Sequence, residues 1–376
     1  MTGKELHYVA QAGFGNRLAG DGFFTQQAHL WLEKNLTSKR ALLTHSCTAA
    51  LELAAILLDI KPGDEVIIPS YTFVSTANAF VLRGATPVYV DIRSDTLNID
   101  EAKIEAAITN RTKAIVPVHY AGVSCEMDTI LNIARSYHLL VVEDAAQGIL
   151  SGYRDKPLGS IGALGSLSFH ETKNIISGEG GAILINDHEY AERAEIVREK
   201  GTNRSKYFRD EVDKYTWCDI GSSFLPGEII AAFLCAQLQD AEKITEQRID
   251  IWNRYHEMLS EMEQLAIIRR PVIPSMCSHN AHIYYVILPN GINRKNILEG
   301  LKLRGVNAVF HYVPLHTSPA GKKYGRVAGT MTNTEELSER IIRLPLWLGL
   351  TYADQQRVVD SLRDLIIGEL SKSNKT

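Results

Sequence analysis

Two strand ends in the sequence carry side chains with complementary chemistry. Asp144 follows an apolar run at residues 140–142, and Lys173 follows a second run at residues 166–169. A lysine amine forms a Schiff base with an aldehyde, and an ionised carboxylate keeps a pyridine nitrogen protonated so that the ring accepts electrons. Pyridoxal 5′-phosphate (PLP) chemistry requires both groups. Taken alone, each residue also fits a purely structural role: Asp144 as a helix cap or a surface charge, and Lys173 as a solvated surface charge.

A hydroxyl-rich turn strengthens this interpretation. Residues 44–48 (THSCT) precede a helical pattern, and the N–H groups at a helix N-terminus bind phosphate with help from the helix dipole. Ser168 offers a further hydroxyl to the same phosphate. An ordinary N-cap would use the same residue types. Phe73 follows another predicted strand, where its ring fits either stacking on a flat heterocycle or filling of the core.

Alternating helices and short apolar strands between about residues 40 and 200 must position these side chains. Strands are predicted at residues 65–68, 87–91, 114–118, 139–143 and 164–169. Near-continuous apolar strands separated by helices indicate a mostly parallel sheet that is covered on both faces. Ligands gather at the carboxyl ends of the strands in such sheets. The predicted fold class is therefore α/β.

The pattern changes after Trp217. A long helical pattern covers residues 227–262, without Pro or Gly after Gly227, and links two parts of the chain. We predict a large PLP-binding domain at residues 1–245 and a smaller C-terminal α+β domain at residues 246–376. The smaller domain is predicted to contain a helix at Arg294–Leu303, capped by Asn293, and a strand at residues 307–312.

Bulk composition narrows the class of protein. The chain has 376 residues and a net charge of −4, so no polybasic field indicates nucleic acid or an anionic membrane as a partner. Its longest apolar stretches fall short of the roughly 20 residues that a membrane span needs. Its five scattered cysteines fit neither a zinc site nor a disulfide framework. We predict a cytoplasmic protein without a metal site.

Several motifs in fixed order resemble one enzyme family. They are residues 46–51 (SCTAAL), 62–67 (PGDEVI), 72–73 (TF), 143–147 (EDAAQ), 168–174 (SFHETKN) and 178–181 (GEGG). Each motif is weak alone, whereas their order and spacing together are specific to the DegT/DnrJ/EryC1/StrS aminotransferases. The resemblance covers nearly the whole chain. It implies a dimeric PLP-dependent aminotransferase of fold-type I, with sites at the subunit interface.

The resemblance also assigns roles to residues. It implies Lys173 as the Schiff-base lysine and proton shuttle, with Asp144 on the pyridine nitrogen. The implied remaining cofactor contacts are Phe73 on the ring, Gln147 near O3′, and Cys47, Thr48 and Ser168 on the phosphate. Relatives carry a Gly-x-Asn motif whose Asn reaches the partner subunit's phosphate. Here residues 221–223 read GSS, so Ser223 replaces that Asn.

Within the family, the chain resembles the TDP-4-keto-6-deoxy-D-glucose 4-aminotransferases of bacterial surface-polysaccharide synthesis. The matching stretches are residues 119–123 (HYAGV), 200–205 (KGTNRS), 213–217 (DKYTW) and 221–223 (GSS). This likeness implies amino transfer from L-glutamate to C4 of the TDP-sugar, giving the 4-amino-4,6-dideoxy galactose or gluco epimer for O-antigen or enterobacterial common antigen. Residues expected to touch substrate are Asp21, Gly22, Asn203, Arg204, His311, Tyr312 and His316. Arg204 also fits a surface charge, and His316 a satisfied core histidine.

Other functions stay open at this point. One is a 3-aminotransferase that acts on a TDP-3-keto-6-deoxyhexose. Another, from a different class, is a non-catalytic regulatory or structural protein with the PLP fold. A sugar 3-dehydratase of this fold is disfavoured because that branch carries histidine at the position of Lys173. A nicotinamide dehydrogenase is disfavoured because no strand is followed by GxGxxG.

Overall fold

The structure, a computed structural model, describes residues 1–15 and 17–373. Its α-helices, in chain order, are α1 (Glu5–Phe14), α2 (Phe23–Asn35), α3 (Cys47–Leu57), α4 (Val74–Val81), α5 (Ile104–Ala107), α6 (Met127–Ser136), α7 (Ala191–Arg198), α8 (Arg204–Phe208), α9 (Glu228–Gln239), α10 (Ala241–Met258), α11 (Ser260–Gln264), α12 (Arg294–Leu303), α13 (Pro319–Tyr324), α14 (Thr332–Arg340) and α15 (Tyr352–Ser373). Its strands are β1 (Arg40–Thr44), β2 (Glu65–Pro69), β3 (Thr86–Val90), β4 (Thr112–Ile115), β5 (Leu140–Asp144), β6 (Gly152–Tyr153), β7 (Lys156–Pro157), β8 (Leu164–Ser168), β9 (Gly181–Ile185), β10 (Cys277–Ser278), β11 (Tyr284–Ile287), β12 (Arg326–Val327) and β13 (Ile341–Leu344).

A central sheet of eight strands runs in the order β1-β9-β8-β5-β4-β2-β3-β12. Strand β9 is antiparallel to both of its neighbours, and the remaining strands run parallel to one another. The predicted mostly parallel sheet is therefore confirmed. Strands β1, β9 and β12 of this sheet were not predicted from the sequence.

Apolar side chains cover both faces of this sheet. In β2, Ile67 packs into one hydrophobic core, while Val66 and Ile68 pack into a second core on the opposite face. Helices α2, α6 and α9 contribute to the first core, and α3, α4 and α7 contribute to the second. A strand that is buried on both sides must be apolar at every position, which explains its continuous apolar sequence.

A third core lies in the C-terminal part of the chain. It contains buried side chains from α10, α12 and α15 and from the two-stranded sheet of β11 and β13. Its first member is Ile251, whereas Ile244 packs into the first core of the large sheet. This separation supports the domain boundary at residues 245/246, which stays a prediction.

Two C-terminal predictions differ from the structure. Residues 307–312 form no strand, and only Val309 makes an isolated antiparallel bridge, with Arg343. Tyr312 has a φ of 47°. This value lies in the left-handed region, which is incompatible with a β-strand and uncommon for a bulky residue. The long helix is interrupted at Asp240 and Leu259, so it becomes three helices. The helix at Arg294–Leu303 and its cap are confirmed, because Asn293 Oδ1 accepts from Lys295 N–H at 2.9 Å.

Across residues 1–15 and 17–373, no helix combines the length and the apolar character that a membrane crossing requires.

Candidate active site

A cavity of about 580 Å³ opens at the carboxyl ends of the parallel strands. It collects side chains that are far apart in the sequence, as expected for this type of sheet. The predicted residues that line it are Cys47, Thr48, Phe73, Asp144, Gln147, Ser168, Lys173, His311 and Tyr312. The structure therefore brings both ends of the predicted cofactor site, and two of the predicted substrate residues, into one cavity.

Asp144 ends strand β5 with only 5% of its surface exposed. Its Oδ2 accepts a hydrogen bond of 2.7 Å from Thr76 Oγ1, and its Oδ1 accepts one of 3.1 Å from the N–H of Ala146. Thr76 in turn lies 2.9 Å from the hydroxyl of Thr72. These bonds fix the orientation of the carboxylate, as a group that must meet one ring nitrogen requires.

Lys173 lies in a closed loop after strand β8. The loop is tied at its base by bonds from Phe169 N–H to Gly180 O and from Glu171 N–H to Gly178 O. Burial is the main cause that lowers the pKa of the Lys173 amine, while Asp144 acts in the opposite direction. A lowered pKa increases the fraction of neutral amine, which is the nucleophilic form. In the described part of the chain, Lys173 forms no ion pair that would hold it as an ammonium.

The N-terminus of α3 forms a donor-rich turn in the same cavity. Ser46 caps the helix, because its Oγ accepts from Ala49 N–H at 3.0 Å, and its carbonyl accepts from Ala50 N–H at 3.2 Å. The N–H groups of Cys47 and Thr48 belong to the first turn of the helix. N–H groups in a first turn have no acceptor within the helix and can therefore donate to a ligand. The hydroxyl of Thr48 lies 2.7 Å from that of Ser75.

Strand pairing brings this turn beside the end of β8. Gly181, the first residue of β9, pairs with Thr44 on one side and with Ser168 on the other. A Cβ at Gly181 would lie 2.4 Å from Cys47 N, so only glycine allows this approach. Burial, followed by the charge of Asp144, raises the pKa of the Cys47 thiol, which therefore stays neutral beside an anion. The donors present thus fit the phosphate of PLP.

Aromatic and amide groups form another wall of the cavity. Phe73 is 57% exposed and its ring centroid lies 6.2 Å from that of Tyr312. Gln147 accepts from Ala121 N–H at 2.7 Å and donates to the Tyr312 hydroxyl at 2.9 Å. The rings of His311 and Tyr312 are stacked, with centroids 3.7 Å apart. An exposed phenyl face and a fixed amide fit a flat heterocycle.

The remaining predicted residues do not line this cavity: Asp21, Gly22, Asn203, Arg204, His316 and Ser223. Asp21 pairs with the buried Arg198 at 2.7 Å, and Arg204 lies 3.5 Å from Glu199. His316 lies between Ser70 and Glu335, at 2.6 Å and 3.1 Å.

The other three predicted residues, Gly22, Asn203 and Ser223, make contacts that involve backbone groups. Gly22 donates its N–H to Glu228 at 3.0 Å, and Asn203 Oδ1 accepts from Thr216 N–H at 2.7 Å. Ser223 is exposed and forms an isolated bridge with Glu199. The predicted substrate roles of these residues, and the contact of Ser223 with a partner subunit, stay predictions.

Four polar residues that line the cavity lie outside the motifs noted in the sequence: Ser75, Thr76, His282 and Arg343. Ser75 and Thr76 come two and three residues after Phe73, in the first turn of α4, so the start of this helix was a usable signal. His282 and Arg343 come from the C-terminal part of the chain, and no local pattern marks them. Within residues 1–15 and 17–373, no group of three or more metal-ligating side chains occurs.

Comparisons with known proteins agree with this site. The chain is 33% identical over 375 residues to GDP-perosamine synthase of Caulobacter vibrioides, covering 98% of this chain and 96% of the relative. It is 32% identical over 338 residues to UDP-4-amino-4-deoxy-L-arabinose–oxoglutarate aminotransferase of Shewanella sediminis, with 88% and 87% covered. The solved PMP form of the putative sugar aminotransferase Spr1654 from Streptococcus pneumoniae superposes with a TM-score of 0.91 at 25% identity, covering 100% and 98%.

A family model matches residues 2–363, nearly the whole chain. Membership, the fold-type I architecture and the cofactor expected from the resemblance are thereby confirmed. The chain belongs to the DegT/DnrJ/EryC1/StrS aminotransferase family and is a PLP-dependent transferase.

Proposed function

We propose that this enzyme transfers an amino group from L-glutamate to C4 of TDP-4-keto-6-deoxy-D-glucose. The product is TDP-4-amino-4,6-dideoxy-D-galactose or its gluco epimer, for a surface polysaccharide. The observation that carries the proposed amino transfer is the meeting of Lys173, Asp144 and the N-terminus of α3 in one cavity. The relatives named for GDP- and UDP-sugars support a nucleotide sugar as the amino acceptor.

The proposed chemistry divides between the cofactor and the protein. Bound PLP supplies the carbon that carries the amino group and a ring that accepts electrons. Asp144 holds the proton on the ring nitrogen, since Thr76 and the Ala146 N–H keep its carboxylate in place. Lys173 removes the proton from Cα of the donor and places one on C4 of the sugar, because its lowered pKa keeps the amine available as a base.

The face of C4 that receives the proton decides the epimer. His311, Tyr312 and the exposed Phe73 line the cavity and are proposed to orient the hexose. We further propose a homodimer in which Ser223 reaches the partner's cofactor phosphate. The cytoplasmic location stays a prediction from the sequence.

Incubation of the purified enzyme with TDP-4-keto-6-deoxy-D-glucose and L-glutamate, followed by NMR of the product, tests the proposal. We expect an amine on C4, and the H4 coupling then identifies the epimer. Lys173→Ala is the control and should give no product. No amination of this sugar, with amination of the 3-keto isomer instead, would replace the proposal with the 3-aminotransferase alternative.

A further inference from the structure

Arg343 presents a guanidinium to the cavity that no protein carboxylate neutralises. It belongs to β13 and lines the cavity. Its Nε is buried and has no hydrogen-bond acceptor. In the described part of the chain it forms no ion pair. A buried charged donor without an acceptor is costly, so a ligand that supplies the acceptor binds favourably there.

The carboxylates that line the same cavity are engaged elsewhere. Asp144 is held by Thr76 and the N–H of Ala146. Glu179 is exposed and lies 3.7 Å from His170. Neither pairs with Arg343, so the positive charge of its guanidinium is left for a ligand.

The groups that surround Arg343 add no negative charge. Burial lowers the pKa values of His282 and His311, and the charges of Lys173 and Arg343 lower them further, so both imidazoles are neutral. Their Nδ1 atoms are already occupied, by Asn174 Oδ1 at 2.9 Å and by the Tyr120 hydroxyl at 2.7 Å. The two imidazoles therefore do not neutralise the positive charge of the Arg343 guanidinium.

A second buried arginine strengthens the positive field. Arg248 donates to the carbonyls of Ala281 and His282, at 3.2 Å and 2.7 Å. Burial and then the charge of Arg343 lower the pKa of Arg248 to about 10. Two buried guanidinium groups of the same charge create a positive potential, which favours the binding of an anion in the cavity.

The position of Arg343 favours the donor over the cofactor phosphate. Arg343 and Lys173 line the same cavity, and the charge of Arg343 acts with burial to lower the pKa of the Lys173 amine. The phosphate has its own donors at the N-terminus of α3. An α-amino acid whose Cα approaches Lys173 must place its carboxylate close by.

We propose that Arg343 binds a carboxylate of the amino donor through Nε–H and one Nη–H, and so makes the site specific for α-amino acids. This inference rests on the proposed amino transfer. Planar guanidinium and carboxylate groups match in this two-bond arrangement, which lysine cannot reproduce.

The binding of glutarate to the PLP-loaded enzyme tests the inference without catalysis, because glutarate has no amine. Calorimetry should show a Kd about 10- to 100-fold higher in Arg343→Gln than in the wild type. Arg343→Lys should lie between them. Arg363→Gln, which removes a surface arginine paired with the exposed Glu261, should bind glutarate like the wild type.

Binding of TDP separates a donor site from a site for the sugar diphosphate. Arg343→Gln should keep the TDP affinity of the wild type, and the KM for L-glutamate should rise more than kcat falls. Unchanged glutarate affinity in a folded Arg343→Gln or Arg343→Lys protein overturns the inference, and so does a selective loss of TDP binding. Because the glutarate result does not depend on the sugar product, it stays valid if the TDP-4-keto sugar is not aminated.

Discussion

At the scale of single residues, the state of the Lys173 amine controls cofactor loading. Its pKa is lowered chiefly by burial, so at a given pH it is neutral more often than a free lysine, whose pKa is about 10.4. The rate at which the cofactor-free enzyme takes up PLP should therefore reach half its maximum below about pH 10.4. Stopped-flow absorbance across a pH series measures this midpoint. A midpoint at or above the ordinary lysine value would contradict the assignment.

Thr76 provides a second test at this scale. Thr76→Val removes the hydroxyl that donates to Asp144 Oδ2 while it keeps the side-chain shape. We expect kcat to fall about tenfold, consistent with the loss of one hydrogen bond of about 1.5 kcal/mol to a charged group. Thr351→Val removes a hydroxyl at the start of the distant helix α15 and should leave kcat unchanged. Steady-state kinetics with equal effects in both variants would argue against the role of Thr76.

At the scale of elements, Gly181 tests how β9 shapes the phosphate turn. A Cβ there would lie 2.4 Å from Cys47 N, so Gly181→Ala must displace the N-terminus of α3. We expect PLP to bind at least about tenfold more weakly, as measured by fluorescence titration, because the N–H donors lose their alignment. Gly368→Ala is the matched control. Apart from the adjacent backbone of its own helix, no atom of the described residues lies within 4 Å of a Cβ at Gly368, so PLP affinity should not change.

Elements that carry a local signal were predictable from the sequence. The apolar strands that are buried on both faces, and the capped helix α12, appear where their patterns indicate. Strand β9 has the same apolar pattern and was overlooked, whereas its antiparallel direction has no local signal because pairing with β1 and β8 sets it. Residues 307–312 form no strand, and Tyr312 at their end has a φ of 47°, outside the extended region.

The site itself was predictable only in part for the same reason. Lys173, Asp144 and the turn before α3 follow strand ends, so the sheet topology brings them together. Arg343 lies in β13 and His282 lies two residues before β11, and no local pattern encodes how this C-terminal sheet packs against the large sheet. The positions of His282 and Arg343 in the cavity therefore depend on tertiary packing between separate hydrophobic cores.

At the scale of the whole molecule, several large apolar side chains of the described residues are exposed at the surface. Phe14 is 86% exposed, Trp217 is 83% exposed and Phe23 is 69% exposed. Where such side chains lie together in one patch, they are typical of protein–protein interfaces. Ser223 is exposed, lies outside the cavity of its own chain, and is six residues from Trp217 in the sequence. These features support the proposed homodimer with shared sites.

Mixed dimers test whether the sites are shared. In a dimer of Lys173→Ala and Ser223→Asp subunits, sharing leaves one site with both Lys173 and Ser223 intact, while the other site loses both. The inserted carboxylate of Ser223→Asp repels the phosphate, so each parent dimer should be nearly inactive. Refolding the two variants together and isolating the mixed dimer by two different tags should then restore about half of the wild-type activity per dimer. If Ser223 instead served its own chain, every site of the mixed dimer would carry one substitution, and no activity would return.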